Sequence, residues 1–286
     1  MHSAPRQFLH RRPWFARTLR AVPFLVLTFS VSFPLYGQVA ITALGTPVLE
    51  NFDSLGTSAT ALLPAHWRVT AAGDTSVTWA NPANLTATSA QASSGSPTSG
   101  GRYNWGQSAT DRAIGFMTST NYASPSSLLA HFSNQTGTTI GQVTVSFDYE
   151  RYRLNTSAAS INFFYSTDGS SWTAVAAGDS GAFSTGASTY GFGTLVSSDT
   201  RSFTLDSLNL AAGSSLFLRW AFVTNGSNSQ GLGLDNFSLT ASAIPEPSTY
   251  AAAAGAAALV IAVRRRRRPL TVPVASPPGR SPTPGA

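Results

Sequence analysis

A serine follows an aspartate in the stretch Gly-Asp-Ser-Gly at residues 178–181, a composition that could support nucleophilic catalysis. A serine nucleophile also needs a histidine base and an acid that orients this base. Between residues 38 and 243 the sequence offers only His66 and His131, and neither lies in a matching sequence context. Glycine, aspartate and serine are also ordinary turn residues. We therefore interpret residues 178–181 as a turn and predict no catalytic residues there.

Two carboxylates, Asp148 and Glu150, lie two residues apart on a predicted strand and therefore share one face of it. Paired carboxylates can hydrolyse glycosides. Because Arg151 and Arg153 follow at once, we interpret the group instead as a solvated ladder of ion pairs. The sequence has no His-x-x-x-His motif, no acidic calcium loop of the helix–loop–helix type and no glycine-rich phosphate loop. We predict that the protein is not an enzyme.

Short stretches of alternating hydrophobicity indicate the elements that would position these residues. Strands have a side-chain period of two, and the segments are separated by turns rich in glycine, serine and asparagine. No segment between residues 38 and 243 has a long apolar period of 3.6 residues, and no internal repeat is present. We predict an all-β fold with two packed antiparallel sheets, and a hairpin at Asp168 and Gly169. The clearest strand faces are Val143, Val145, Phe147 and Tyr149; Ile161, Phe163 and Tyr165; and Leu216, Leu218, Trp220 and Phe222.

Six short motifs extend over nearly the whole of residues 38–243. They are residues 52–56 (Phe-Asp-Ser-Leu-Gly), 103–106 (Tyr-Asn-Trp-Gly), 110–113 (Thr-Asp-Arg-Ala), 164–169 (Phe-Tyr-Ser-Thr-Asp-Gly), 218–220 (Leu-Arg-Trp) and 234–239 (Leu-Asp-Asn-Phe-Ser-Leu). Together they resemble a recurrent secreted bacterial β-sandwich module, similar in layout to jelly-roll and concanavalin-like sandwiches. The resemblance implies a fold of that type and no particular activity.

One metal site and one sugar-stacking residue are candidates for ligand binding. Similar sandwiches often place acids near the first and last strands, so Glu50, Asp53 and Asp235 could hold a structural calcium ion. The alternative is structural hydrogen bonding by Asp53 and Asp235. Trp105 lies among glycine and asparagine and is the tryptophan that we expect to be exposed for stacking on a sugar. We expect no other cofactor.

Charge is distributed unevenly along the chain. The formal net charge is +6, yet residues 38–243 contain seven arginines and eleven acids, which gives this part a net charge of −4. The basic character therefore belongs to the two ends, and nucleic-acid binding loses its main support. The chain has no cysteine, so an exported form must depend on its core without disulfides.

The first residues have the layout of a secretory signal peptide. Residues 1–20 contain five arginines and no acid, residues 21–36 are apolar, and small residues follow. We predict a signal peptide at 1–37, cleaved near 37–40, and a β-sandwich domain at 38–243. Arg11 and Arg12 leave a twin-arginine route open, but the general secretory route fits the flanking residues better.

Three signals follow one another after residue 243. They are the stiff sequence Pro245, Glu246, Pro247 and Ser248, an uncharged apolar run of 14 residues at 250–263, and the arginines Arg264, Arg265, Arg266, Arg267 and Arg268. This order resembles the PEP-CTERM sorting signal of Gram-negative bacteria, which we place at 244–268. The resemblance implies a transmembrane helix at 250–263 and stop-transfer arginines at 264–268. It also implies that an exosortase recognises the Pro-Glu-Pro segment. A proline-rich tail at 269–286 follows, which we expect to be disordered.

These signals predict where the protein is located. We expect an exported protein at the cell surface or in exopolysaccharide, with a structural or interaction role and a transient inner-membrane precursor. Its partners would be the exosortase and extracellular polysaccharide. A carbohydrate-binding module for matrix polysaccharide is the alternative, followed by a secreted hydrolase and an ice-binding protein. Ice-binding proteins carry similar sorting tails, but this chain lacks the regular Thr-x-Thr array that such a function favours.

Overall fold

The computed structural model describes residues 38–58, 60–81, 83–84, 91–93, 98–106, 110–120, 122–191, 195–224, 226, 229–243 and 247–266. Four predictions concern residues outside these ranges, and they stay predictions. They are the signal peptide at 1–37, the Pro245 and Glu246 part of the sorting signal, the arginines Arg267 and Arg268, and the tail at 269–286.

Alternating apolar residues produce 15 strands in the described residues, in agreement with the all-β prediction. The strands are β1 (Val39–Ile41), β2 (Pro47–Glu50), β3 (Trp67–Val69), β4 (Gln91–Ser93), β5 (Gly101–Gly106), β6 (Arg112–Met117), β7 (Ser126–Asn134), β8 (Ile140–Leu154), β9 (Ala159–Ser166), β10 (Thr173–Ala174), β11 (Ala182–Phe183), β12 (Thr189–Tyr190), β13 (Ser197–Leu205), β14 (Ser215–Thr224) and β15 (Gly231–Ala243). Short 3₁₀ turns lie at Asp53–Leu55 and Ala176–Gly178, and a helix, α1, extends over Pro247–Arg266.

The strands form two sheets, which confirms the predicted sandwich. The first sheet has the order β1-β7-β14-β9-β10, with β3 beside β7 and β11 beside β9. The second sheet has the order β12-β8-β15-β6-β5-β4, with β13 beside β8 and β2 beside β15. Two pairs differ from the purely antiparallel prediction, because β1–β7 and β4–β5 are parallel. The predicted hairpin after β9 is also wider than two residues, since β10 begins only at Thr173.

Aromatic rings fill the space between the two sheets. Trp220 is fully buried, and its ring stacks on Trp67 with the centroids 5.5 Å apart. Phe147 and Phe163 approach Trp220 edge-on at 5.5 and 5.3 Å, while Phe237 approaches Trp67 edge-on at 5.3 Å. Stacked and edge-to-face pairs stabilise a core beyond the area that they bury. These rings come from both sheets, so they fix how the sheets pack.

Smaller clusters cover parts of the outer surfaces. Val77, Trp79, Leu129 and Phe217 form one cluster on the first sheet. On the second sheet the cluster consists of Tyr103, Trp105, Ala113, Met117 and Tyr152. Large parts of both sheets are therefore buried on two sides.

The predicted helix after the sandwich is present, but its bounds are wider than predicted. Helix α1 begins at Pro247 and continues into the arginines, because proline suits the first helical turn and arginine is a good helix former. Among the described residues, no helix combines the length and the apolar character needed to cross a membrane. The predicted span at 250–263 has 14 residues, or about 21 Å of helix against a hydrocarbon core of about 30 Å.

The central ring stack predicts a large loss of stability when it is opened. Trp220→Ala should lower the free energy of unfolding by about 3–5 kcal/mol, because it removes a fully buried ring and leaves a cavity. Thermal unfolding by circular dichroism should show a melting temperature lowered by about 10 °C. Leu62, which is 74% exposed, gives the control, since Leu62→Ala should change the stability by less than about 0.5 kcal/mol. Equal effects of the two substitutions would contradict the central role of Trp220.

Candidate functional site

A face of paired hydroxyl groups lies on the outer side of the second sheet. Strand pairing aligns Thr144 of β8 with Thr204 of β13 and with Thr240 of β15. The same pairing aligns a second row two residues further along each strand, which consists of Ser146, Ser202 and Ser238. These six residues, which we call the hydroxyl face, are all exposed or half-exposed.

The geometry of a sheet makes the hydroxyl face regular. Neighbouring strands lie about 4.8 Å apart, and residues two apart on one strand lie about 6.7 Å apart. The hydroxyl oxygens of Thr144 and Thr204 are 3.3 Å apart and hydrogen-bonded. The sequence alone does not predict these rows, because each row extends across three strands and only two residues of the hydroxyl face lie on β8.

A β-bulge in β15 marks one end of the hydroxyl face. The register between β15 and β8 shifts between Asp235 and Ser238, and Asn236 adopts a left-handed φ of 50°. Bulges redirect side chains, and Asn236 is exposed as a result. Its amide Nδ2 donates a hydrogen bond to Asp148 Oδ2 at 3.0 Å, while the Thr200 hydroxyl donates to Asp148 Oδ1 at 2.5 Å. Asp148 is thus held in the plane of the face by two neutral donors.

A concavity of about 380 Å³ lies beside this bulge. Leu49 at its rim is 70% exposed. Burial raises the pKa of Glu50, although its carboxylate accepts a hydrogen bond from the backbone N–H of Phe52 at 2.9 Å. The concavity therefore offers an apolar rim and polar groups side by side. Its lining residues are Leu49, Glu50, Asn51, Asn236 and Phe237.

The residues predicted to bind calcium lie near this concavity but do not fit the ion. The two carboxylate oxygens of Asp53 accept hydrogen bonds from the Arg112 backbone N–H at 3.1 Å and from Asn51 Nδ2 at 2.6 Å. Asp235 Oδ1 accepts the backbone N–H of Asn236 at 2.7 Å, and Glu50 is already bonded to Phe52. Within the described ranges, no group of three or more histidine, aspartate or glutamate side chains could hold a metal ion. The structure shows hydrogen bonding by Asp53 and Asp235, which was the alternative to calcium.

Two buried carboxyl groups lie further along β8 and β15 than the hydroxyl face. Glu150 is 5% exposed and accepts a hydrogen bond from the Tyr152 hydroxyl at 2.5 Å. Burial raises the pKa of Glu150 and, with repulsion from Glu150, Asp111 and Asp53, raises the pKa of Asp235 to about 8. Asp235 is therefore largely protonated at neutral pH.

Trp105 is not the exposed sugar platform that the sequence predicts. Its side chain is fully buried, and its ring stacks on Tyr103 at 4.2 Å and on Tyr152 at 5.5 Å. The indole N–H donates to the Leu232 carbonyl at 3.0 Å. Glycine at position 231 of the neighbouring strand makes room for this ring, because a Cβ atom there would lie 2.8 Å from the indole. The prediction is wrong because small neighbours let the ring lie flat on the sheet.

The predicted ladder of ion pairs is also wrong. Arg151 bonds to the Ser184 carbonyl at 3.0 Å and to Gln230 at 3.2 Å. The Arg153 guanidinium lies over the ring of Tyr190 at 5.2 Å. Side chains alternate along β8, so Arg151 points away from the face that carries Glu150. The register between β8 and β15 shifts before Arg153, whose guanidinium donates to Met117 Sδ at 3.0 Å.

The Gly-Asp-Ser-Gly stretch connects the 3₁₀ turn at Ala176–Gly178 to β11. Asp179 Oδ1 accepts the backbone N–H of Phe163 at 2.7 Å, and Ser180 Oγ accepts that of Ile161 at 2.8 Å. The ring of His131 stacks on Phe217 at 4.2 Å, and burial lowers its pKa to about 4. The serine and this histidine therefore have separate structural roles.

The predicted sorting residues are described only in part. Pro247 and Ser248 lie in the first turn of α1, and residues 264–266 lie in its last turn. Residues 254–263 of the helix are exposed throughout. Large apolar side chains in this stretch face solvent, namely Leu259, Val260, Ile261 and Val263, which are 66, 52, 55 and 42% exposed.

Buried Asp235 predicts that stability falls as the pH rises. An unfolded aspartate has a pKa of about 3.9, so the stabilising contribution of the protonated form is complete below about pH 4 and is lost by about pH 8. Asp235→Asn keeps the acceptor for the Asn236 N–H and removes this titration. Melting temperatures of the wild type should fall by about 5 °C or more between pH 5 and pH 8, and those of Asp235→Asn should fall much less.

Two comparisons complete this prediction. Asp206→Asn, at an exposed position, should behave as the wild type does. Glu150 retains a slope of the same sign in every variant, because its pKa is also raised by burial. His131, whose pKa burial lowers to about 4, adds a slope of opposite sign below about pH 6.5 in every variant. An unchanged pH slope in Asp235→Asn would contradict the assignment.

Solved structures with similar β-sandwiches have low sequence identity to this chain. The K3 cleaved adhesin domain of Lys-gingipain from Porphyromonas gingivalis w83 is 13% identical with a TM-score of 0.39, over 68% of this chain and 98% of that one. A xylan-binding module, CBM15, is 12% identical with a TM-score of 0.33, over 70% and 100% of the two chains. The module TmCBM61, solved with β-1,4-galactotriose, is 15% identical with a TM-score of 0.31, over 67% and 94%.

The sequence comparisons concern the end of the chain. No curated protein matches the sequence. Residues 243–268 match the PEP-CTERM protein-sorting motif, which covers helix α1 and the residues directly before it. The chain therefore carries the sorting signal of an exported protein immediately after its last β-strand.

Proposed function

We propose that this chain is an exported surface protein that an exosortase processes at its C-terminal signal. The match of residues 243–268 to the PEP-CTERM motif carries this proposal. After processing, the sandwich is retained at the cell surface or in the extracellular polysaccharide. Its role is an interaction role rather than a catalytic one, in line with the use of Asp179 and Ser180 in a structural turn.

The exposed apolar side of α1 supports a stop during export. Four large apolar side chains between residues 259 and 263 are at least 42% exposed, and such surfaces mark contacts with a membrane or a protein. The whole helix has 20 residues and is about 30 Å long, although its apolar part is shorter. Arginine side chains can extend toward the polar headgroups while their stems remain in apolar surroundings. The helix is thus suited to a temporary halt before processing.

Charge fixes the orientation in this mechanism. The five arginines at 264–268 resist translocation and keep the C-terminal end on the cytoplasmic side. The Pro-Glu-Pro segment then lies on the outer side of the membrane. Two prolines in three residues disfavour a helical conformation in the sequence that a membrane peptidase would recognise.

The proposal predicts that the Pro-Glu-Pro segment is required for processing. Replacement of Pro245, Glu246 and Pro247 by alanine should leave a precursor that keeps its helix and remains with the inner membrane. Intact-mass spectrometry and cell fractionation would be carried out in a host with an exosortase and in the same host without it. The wild type in the host without exosortase should give the same precursor.

Prolines beyond the motif give a matched control. Replacement of Pro273, Pro277 and Pro278 by alanine changes the same type of residue outside residues 243–268 and should leave processing unchanged. Normal mature mass for the Pro-Glu-Pro variant, or processing that does not depend on the exosortase, would overturn the proposed function.

A further inference from the structure

We propose that the hydroxyl face and the adjoining concavity bind a neutral polysaccharide. The inference concerns the sandwich itself and does not depend on the sorting signal. It rests on three features of the second sheet: two registered rows of hydroxyl groups, the hydrogen-bonded state of Asp148, Arg151 and Arg201, and a concavity with an apolar rim.

The hydroxyl rows offer repeated hydrogen bonding to an extended chain. Each hydroxyl group donates one hydrogen bond and can accept two. Thr144, Thr204 and Thr240 form one row, and the serine row lies parallel to it. A polysaccharide presents hydroxyl groups at regular intervals, so a regular surface of donors and acceptors can bond to several of its units at once. The hydrogen-bonded strands hold the rows in place before binding, which lowers the entropic cost of association.

Charge favours a neutral partner over an acidic one. The chain contains no lysine, and two of the arginines on β8 and β13 point elsewhere in the described structure. Arg151 bonds to Ser184 and Gln230, and Arg201 bonds to the Ser180 carbonyl and to Asp199. A uronate polymer or a nucleic acid would therefore meet few counter-charges on this face. The carboxylate of Asp148 already accepts hydrogen bonds from Thr200 and Asn236.

The concavity supplies an apolar contact for a sugar, in addition to the hydrogen bonds that the hydroxyl rows offer. Sugars combine polar edges with apolar C–H faces, and the exposed side chain of Leu49 lies opposite Ser238 in the strand register. Asn51 and Asn236 are exposed and line the same concavity, and each amide side chain can both donate and accept. Its volume of about 380 Å³ is within the range of small ligand sites, large enough for a sugar unit. One unit would sit in the concavity while its neighbours lie along the hydroxyl rows.

The left-handed backbone at Asn236 also supports a binding site at the concavity. Only a minority of residues other than glycine adopt a positive φ, and they concentrate at functional positions. Phe52, directly after the lining residues Glu50 and Asn51, has a φ of 55° as well. Asn236 lines the concavity, and Phe52 directly follows two of its lining residues.

Native gel electrophoresis of the full chain in polysaccharide-containing gels would test the proposal. The neutral probes are soluble xylan, β-1,4-galactan and hydroxyethylcellulose, and alginate is the acidic probe. Retardation by at least one neutral probe is expected, with little retardation by alginate. Thr144→Arg should weaken binding by about tenfold, because it removes a central hydroxyl and places a long charged side chain across both rows.

Two further variants separate binding from folding. Asn236→Gly keeps the left-handed backbone, removes the amide, and should weaken binding by about threefold. Thr173→Arg changes an exposed threonine of the first sheet and should bind as the wild type does. All variants should keep the melting temperature of the wild type within a few degrees, since the substituted side chains are exposed.

Each contrary outcome overturns the proposal. Failure of all three neutral probes, equal retardation by alginate, or unchanged binding by Thr144→Arg would do so. Adsorption of the wild type to ice without polysaccharide binding would assign the face to a different partner. None of these results depends on processing, so the sorting experiment can succeed while this one fails.

Discussion

The packing of aromatic rings between the two sheets is the interaction on which the rest of the structure depends. The chain has no cysteine, so the sheets are joined without a covalent link. Trp67 comes from β3 of the first sheet and Phe237 from β15 of the second, and both rings contact Trp220. Because interiors are closely packed, these rings fix the relative position of the sheets. The alternation of side chains then decides what lies on every outer surface.

That alternation has opposite consequences along the second sheet. Where β5, β6 and the end of β8 meet, outward positions carry Tyr103, Trp105 and Tyr152, which pack into a cluster of their own. Where β13, the start of β8 and β15 meet, outward positions carry hydroxyl groups that remain accessible. The buried carboxyl of Asp235 and the exposed amide of Asn236 lie side by side at the bulge between these regions. The bulge thus separates a covered part of the sheet from an open one.

Local patterns in the sequence predict the strands but not how the strands align. The faces of β8, β9 and β14 follow from a period of two, and Trp220 is buried as its position between core residues indicates. Trp105 has glycine and asparagine neighbours that favour exposure, yet the burial of its ring depends on the glycines of β15, more than a hundred residues away. The hydroxyl rows are invisible for the same reason, since each strand contributes only one residue to a row. Arg151 and Glu150 are adjacent in sequence but lie on opposite faces of β8, so their proximity in the sequence wrongly predicted an ion pair. The sorting signal can be predicted because all of its parts follow one another in one continuous segment of the sequence.

The position of the sorting signal relative to β15 would let the proposed export and the proposed binding operate independently. β15 pairs with β8 as far as Ala243, and its outward residues contribute Ser238 and Thr240 to the hydroxyl face. The motif begins at residue 243, so cleavage beyond this point removes no paired residue of the strand. In the proposed export route, β15 can pair over its whole length only after its last residues have crossed the membrane. The sheet would therefore complete its folding at about the time when the sorting signal reaches the membrane. β15 is therefore the last strand of the described sandwich and also contributes to the proposed binding face. Processing after β15 would leave the hydroxyl face intact.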